Sequence, residues 1–465
     1  MRLRHLLFLA SCSIFVLASC SVTKQIAKQA DEILLKDSAI STGHIGISIY
    51  EPASNTYWYN YNADKYFIPA SNTKLFTLYA GMKYLGDSLT GLAYQNFSDT
   101  AINVVGIGDP TFIHADFKNQ PVLDFLKAQH KAIYLSGNYK DSALGYGWAW
   151  DDYNDDYMIE RNAFPIYGNT IKIELNGYNY IGELSYKPNW NIIPSYFKPY
   201  IDEGFKMEIS TNYSNIAKFN TQKFFISRSR TSNKLNLYQG NSVFYKTEIP
   251  FYTNVNKTAI EVLKNDFQLN ITEGSLSDKI LYAGTPAKLR WHKIKSQPSD
   301  SLFKPMMHRS DNFFAEQTLL MVSNEYLGYM STGKIIETLL ASDLKDAPQK
   351  PKWVDGCGLS RYNLFTPQSF VYILKKIKSE FGWDRIKNIL PTGGTGTLSS
   401  YYKKDSSYIY AKTGTLSNNC ALSGYLITKK GKMLIFSVLN NNYITSAVLV
   451  RKAVEHFLVA IRENY

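Results

Sequence analysis

The two ends of this chain carry what reads as two halves of one domain. Near the C-terminus, Tyr408–Thr415, Cys420–Thr428 and Met433–Leu439 have strand character, the last two joined through Lys429-Lys430-Gly431-Lys432. A helix from about Ser446 to Arg462 follows, with Val448, Ala453, Phe457 and Ile461 on its apolar side. At the other end a short helix is expected from about Thr23 to Lys36, on the spacing of Ile26, Ala30, Ile33 and Leu34. Strand-like Gly43–Tyr50 and Thr56–Tyr61 follow, around the turn-forming Glu51-Pro52-Ala53-Ser54-Asn55. From about Gln95 to Ala287 the chain is rich in Asn, Tyr, Asp and Ser, with short strand-like pieces such as Thr170–Leu175 and Lys223–Arg228. Helical character returns after Pro305, in Phe313–Val322 and Pro367–Ile377. The expectation is an α+β chain whose terminal parts, 20–95 and 288–465, build one domain around a mainly β insert at 96–287.

The N-terminus points to export. Arg2 and Arg4 precede an uncharged run from Leu6 to Ala18, about thirteen residues, which suits a signal peptide and is too short to span a bilayer. It ends in Leu17-Ala18-Ser19-Cys20, which resembles the lipobox of bacterial lipoproteins. Cleavage after residue 19 would leave Cys20 to carry a lipid, giving a cell-envelope lipoprotein on the periplasmic side. The formal net charge of +12 comes from scattered cations, which favour anionic polymers without forming the stripe that nucleic-acid binding uses. With export, no nucleic-acid partner is expected.

Three short motifs carry the chemistry. Ser71 and Lys74 follow Pro69 and open a run with helical spacing, Leu75, Phe76, Leu78, Tyr79, Met82 and Leu85. Residues three apart share a helix face, so the hydroxyl and the amine can meet. A lysine desolvated or set beside another cation can act as a base toward serine. Ser-x-x-Lys alone says little, because Ser21, Ser195, Ser301, Ser331, Ser342 and Ser400 also begin one. Order and setting add the rest. Ser310-Asp311-Asn312 precedes an apolar helix, and Lys412-Thr413-Gly414, which occurs once, sits on a strand followed by two more.

This set resembles the penicillin-binding proteins and serine β-lactamases, whose three elements line one cleft between helices and an antiparallel sheet. About 240 residues separate Ser71 from Ser310. A long insert there resembles the low-molecular-mass class C penicillin-binding proteins, the D-alanyl-D-alanine carboxypeptidase/endopeptidases. Gly106-Ile107-Gly108-Asp109-Pro110, Gly147-Trp148-Ala149-Trp150-Asp151-Asp152, Asp355-Gly356-Cys357-Gly358-Leu359-Ser360-Arg361 and Ala421-Leu422-Ser423-Gly424-Tyr425 are similar to that family's signatures. Cys357 departs from the pattern, where a small residue such as serine is expected.

The resemblance implies a penicillin-binding-protein/β-lactamase-like catalytic domain, with an antiparallel sheet flanked by helices. It implies a serine peptidase that cleaves between two terminal D-alanines of peptidoglycan stem peptides through an acyl-enzyme on Ser71. Lys74 would be the base, Ser310 a proton relay and Asn312 a holder of a substrate amide. Lys412 and Thr413 would face the terminal carboxylate, with Lys412 also lowering the basicity of Lys74. Gly414 would permit close approach, and the amides of Ser71 and Thr415 would form the oxyanion hole. A β-lactam mimics the same terminus, so penicillin should acylate Ser71.

Other features take plainer readings. No histidine pair or Cys-x-x-Cys has metal-ligand spacing, so neither a metal nor a cofactor is expected. The acidic stretch Asp151–Asp156 fails the EF-hand pattern, since Tyr157 and Ala163 stand where glycine and glutamate are needed. Lys172-Ile173-Glu174-Leu175-Asn176 reads as a strand of the insert, and His308 as a surface or supporting residue. Cys357 and Cys420 could pair after export. The 35 tyrosines could line a glycan groove in the insert or simply pack strands. The competing functions are a related β-lactamase or esterase, and an idle cell-wall-binding scaffold.

Overall fold

A computed structural model describes residues 22–182, 185–202, 207–208, 225–238, 246–274 and 291–465. The expected signal peptide and Cys20 lie outside the described residues. The chain divides into two compact units. The first takes residues up to Lys83, Phe303–Asp311 and Ile336–Tyr465; the second takes Tyr84–Leu302 and Asn312–Ile335.

The first unit is built on an antiparallel five-stranded sheet. Its strands are β1 (His44–Glu51), β2 (Thr56–Tyr61), β3 (Ile409–Leu416), β4 (Asn419–Ile427) and β5 (Met433–Asn441), in spatial order β3-β4-β5-β1-β2. Both chain ends therefore pair directly, β1 against β5, with Ser48 opposite Ser437. β1, β4 and β5 are buried along almost their whole length because helices cover both faces, whereas the edge strand β2 buries only Trp58 and Tyr59. The helices of this unit include α1 (Lys74–Tyr84), α2 (Pro367–Phe381) and α3 (Ala447–Asn464).

On one face, α3 presents Val450, Ala453, Val454, Phe457, Leu458 and Ile461 at helical spacing. They share a core with Ile45, Ile47 and Ile49 of β1, with Leu422 and Val438, and with Ile26, Ala30 and Leu34. The last three lie on helical residues 22–29 and their π-helical continuation, Ala30–Leu35. Ser446 caps α3, accepting from the Leu449 amide. Against the other face, α2 begins with a capping box between Thr366 and Ser369 and buries Phe370, Ile373, Leu374 and Ile377. The Tyr425 hydroxyl on β4 donates to the Leu374 carbonyl at 2.7 Å, satisfying a buried phenol. Phe76 of α1 joins the edges of Phe365, Phe370 and Trp353. α1 thereby has its packed neighbours inside this unit.

The second unit contains a mixed five-stranded sheet in the order Ile271–Glu273, Ala132–Gly137, Ala101–Gly106, Ser88–Asn96, His292–Pro298, together with four-stranded and three-stranded sheets. The sequence set the insert at 96–287, whereas this unit reaches further at both ends and adds residues 312–335. Pairing of His292–Pro298 with Ser88–Asn96 explains the first difference. The helix Asn312–Leu327 explains the second. Its Gln317 donates to the carbonyls of Gly108 and Asn162, at 2.8 and 3.0 Å. Its Glu316 pairs with Arg161 at 3.0 Å, both fully buried. Lys172 and Glu174 lie on the strand Thr170–Gly182 and pair at 2.9 Å.

Candidate active site

Ser71 sits in a short 3₁₀ turn, Ala70–Thr73, that runs straight into α1. Ala70 has φ 48°, a left-handed conformation that costs a non-glycine residue energy and is held here by its surroundings. One helical turn brings the Lys74 amine to 2.9 Å from the Ser71 hydroxyl oxygen. Lys74 is fully buried, and its amine also donates to the Cys357 carbonyl oxygen at 2.8 Å.

That carbonyl is aimed by a buried loop. The Asp355 carboxylate accepts from the amides of Gly358 and Ser360 and from the Asn363 side chain, at 2.7–2.8 Å. The Thr77 hydroxyl donates to the Gly356 carbonyl at 2.6 Å, tying the loop to α1. Gly358 has φ 89°, and a Cβ there would lie 2.0 Å from the Ala70 carbonyl oxygen, so only glycine fits. The Cys357 side chain is fully buried, with Sγ 3.8 Å from an Asp355 carboxylate oxygen and 3.5 Å from the Leu359 amide. Cys357 and Cys420 are both buried and form no disulfide.

Ser310 follows the helix Ser299–His308 and has φ 60°, a second left-handed non-glycine residue. Its hydroxyl accepts from the Lys412 amine at 2.8 Å, which also donates to the Thr413 carbonyl at 2.7 Å. Lys412 lies on β3 and is fully buried. Burial, and then repulsion from Lys74, holds its amine well below the usual lysine range. A lane of polar residues runs across the sheet from this point: Lys412 faces Ser423, Ser423 faces Ser437, and Ser437 faces Ser48. The Asn72 carboxamide joins the Ala70–Thr73 turn to β3. Oriented for best pairing, it donates to the Lys412 carbonyl and accepts from the Ser423 hydroxyl, each at 2.7 Å.

Gly414 passes against the same turn. A Cβ there would lie 2.5 Å from the Pro69 carbonyl oxygen and 3.1 Å from the Ser71 amide nitrogen, so its absence permits the approach. Thr413 is largely buried, while Thr415 is exposed and accepts from Arg451 of α3 at 2.5 Å. The first unit thus brings Ser71, Lys74, Ser310, Lys412, Thr413, Gly414 and Thr415 into one constellation. Asn312 opens the helix Asn312–Leu327 of the second unit, where its side chain donates to the Tyr157 carbonyl at 3.4 Å. Sequence reasoning missed the Cys357 carbonyl, Asn72 and Arg451. A main-chain acceptor leaves no side-chain signature, and the other two fall outside the motif spacings.

The constellation can do chemistry. A serine hydroxyl lies within hydrogen-bond reach of a buried amine, and a second serine with a second buried amine stands in the same unit. Groups so arranged can supply a nucleophile, a base and a route for a proton.

Comparison with known proteins agrees in extent and in fold. Residues 26–464 match the model of the D-Ala-D-Ala carboxypeptidase 3 (S13) family. The penicillin-sensitive carboxypeptidase A of Dictyostelium discoideum is 24% identical over 442 residues, 85% of this chain and 82% of that one. The D-alanyl-D-alanine carboxypeptidase DacB of Haemophilus influenzae is 24% identical over 416 residues, covering 83% of each. The crystal structure of penicillin binding protein 4 (dacB) from Haemophilus influenzae superposes with a TM-score of 0.69 at 20% identity, covering 94% of this chain and 98% of that one. The same fold, with antiparallel sheets flanked by helices, is therefore present here. With the family model spanning nearly all of the sequence, the chain belongs to the D-Ala-D-Ala carboxypeptidase 3 (S13) family, and it is a hydrolase of that kind.

Proposed function

We propose that this chain removes the terminal D-alanine from peptidoglycan stem peptides through an acyl-enzyme on Ser71, and that penicillin acylates the same oxygen. The observation that carries the reading is the pair of serine–lysine contacts, Ser71 with Lys74 and Ser310 with Lys412, at 2.9 and 2.8 Å. Two amines in one water-poor site repel each other, so the pair sheds a proton more readily than either lysine would alone. Lys74 then takes the Ser71 proton as the hydroxyl attacks the carbonyl between the two D-alanines. The amides of Ser71 and Thr415 receive the developing oxyanion, a kind of contact whose loss costs about 3–4 kcal/mol.

The proton passes through Ser310 to the leaving amine, and D-alanine departs. Water hydrolyses the ester and restores Ser71. Lys412 and Thr413 face the substrate carboxylate, and Asn312 holds an amide of the stem. Activity on peptide cross-links belongs to the same proposal, because a cross-link presents the same kind of bond with a larger leaving group. So does the location: a lipid on Cys20 tethers the enzyme to a membrane of the cell envelope, on the periplasmic side.

Incubation of the chain lacking residues 1–20 with defined muropeptides, followed by mass spectrometry, tests the reading. Loss of one alanine from pentapeptide fragments is expected. Rapid turnover of a chromogenic cephalosporin without fragment cleavage would instead make the protein a β-lactamase. Absence of both reactions would leave a binding scaffold.

A further inference from the structure

The second unit holds a cavity of about 500 Å³ that none of the proposed catalytic residues lines. Its volume lies within the roughly 300–1,000 Å³ typical of small-ligand clefts. Tyr196 and Tyr252 contribute rings. Thr231, Ser232, Asn233, Asn254 and Thr272 contribute hydroxyl and amide groups, and Lys257, Lys264, Glu261 and Glu273 the charges. Two lysines stand against two glutamates, and Lys264 is 3.1 Å from Glu261, so the lining is formally neutral.

The walls are fixed from behind. The Asp266 carboxylate accepts from the Ser195 hydroxyl and from the amides of Ser195 and Tyr196, at 2.7, 3.0 and 3.2 Å, holding the chain that carries Tyr196. The Asn233 side chain accepts from the Tyr252 amide at 2.9 Å and donates to the Thr258 hydroxyl at 3.0 Å. That hydroxyl donates in turn to the Tyr252 carbonyl at 2.8 Å. Asn254 and the adjacent Val255 have φ 45° and 61°, and Val255 is 56% exposed. A β-branched residue in this region is strained, and such strain persists where the surroundings over-determine it.

We infer that this cavity binds an uncharged glycan, the acetamido-sugar strand of the polymer whose stem peptides the catalytic unit cleaves. Aromatic faces cover the apolar side of a sugar ring, and amides and hydroxyls pair with its hydroxyl and acetamido groups. A neutral lining favours a sugar strand over a polyphosphate, which would need a surplus of cations. The site performs no chemistry; it holds the strand while stem peptides are processed. Only the identity of the sugar rests on the proposed function.

The test uses the chain lacking residues 1–20 with Ser71→Ala, titrated calorimetrically with N-acetylglucosamine oligomers, which are uncharged acetamido-sugar chains, and, separately, with polyglycerol phosphate. Saturable glycan binding is expected, weakened about tenfold by Tyr196→Ala or Tyr252→Ala, a loss of about 1.4 kcal/mol. Should a tyrosine variant fail to melt cooperatively, Ser232→Glu at the exposed rim is expected to weaken binding while leaving the walls intact. No glycan binding, equal binding by all variants, or binding of polyglycerol phosphate alone overturns the inference. Penicillin labelling and D-alanine release by the Ser71 protein are measured alongside. If both occur without glycan binding, only the cavity assignment falls; glycan binding without either reaction leaves the cavity assignment standing and removes the catalytic one.

Discussion

The Lys74 amine donates to the main-chain carbonyl oxygen of Cys357 at 2.8 Å, across 283 positions of sequence. This contact aligns the amine that reaches Ser71, and it depends on a loop wound around the Asp355 carboxylate. The unusual cysteine therefore enters the site through its backbone, while its side chain is fully buried.

Fluorescent penicillin is expected to label the chain covalently, and Ser71→Ala to abolish that label. Gel fluorescence together with intact-protein mass reads the outcome. A variant labelled as strongly as the parent would place the nucleophile elsewhere.

Lys74→Arg is expected to slow acylation by about 10²–10⁴-fold, because a guanidinium holds its proton at any working pH. Stopped-flow acylation kinetics measure it. Unchanged kinetics would shift the base role to Lys412.

Lys412→Met separates function from stability. The native-state amine lies below its unfolded value of 10.5, so native stability rises with pH between those two values and the buried amine is a cost at neutral pH. A methionine of similar size removes that cost. The denaturation midpoint at neutral pH should hold or rise, while acylation falls by more than about a hundredfold. A clear drop in midpoint would mean that the bond to Ser310 contributes more than burial costs.

Gly358→Ala should destabilise the protein by about 1–3 kcal/mol or more, since alanine resists φ 89° and its methyl would meet the Ala70 carbonyl. Urea unfolding gives the stability. Acylation should fall alongside it, because the loop that aims the Cys357 carbonyl must shift; full activity in a folded variant would show that the loop is dispensable.

Burial, and then the charge of Lys304, holds His308 below its usual value of 6.5, against an opposing hydrogen bond to the Leu390 backbone. The unfolded chain then takes up this proton first as pH falls. The stability contribution is complete above about pH 6.5 and is lost as pH drops through the native value. Thermal melts from neutral to mildly acidic pH should show a shallower decline for His308→Gln; parallel curves would exclude His308 as a source of that decline.

Much of the first unit is local in origin. Strands at both ends and the apolar face of α3 follow from short-range periodicity, which residues impose whatever surrounds them, and the order of the three motifs is read directly along the chain. Six other Ser-x-x-Lys matches were indistinguishable from Ser71 by spacing alone, and the helix-opening position behind Pro69 separated them only together with the other motifs. Tertiary structure decided the rest. Pairing of Ser88–Asn96 with His292–Pro298 and the buried Arg161–Glu316 pair drew the edges of the second unit, and neither contact has a period to read. The left-handed turns at Ala70 and Ser310, the Cys357 carbonyl and the close pass of Gly414 exist only because distant segments hold them. Amino-acid types determine which local conformations are inexpensive; only the closed fold can sustain strained ones and choose which backbone oxygen faces an amine.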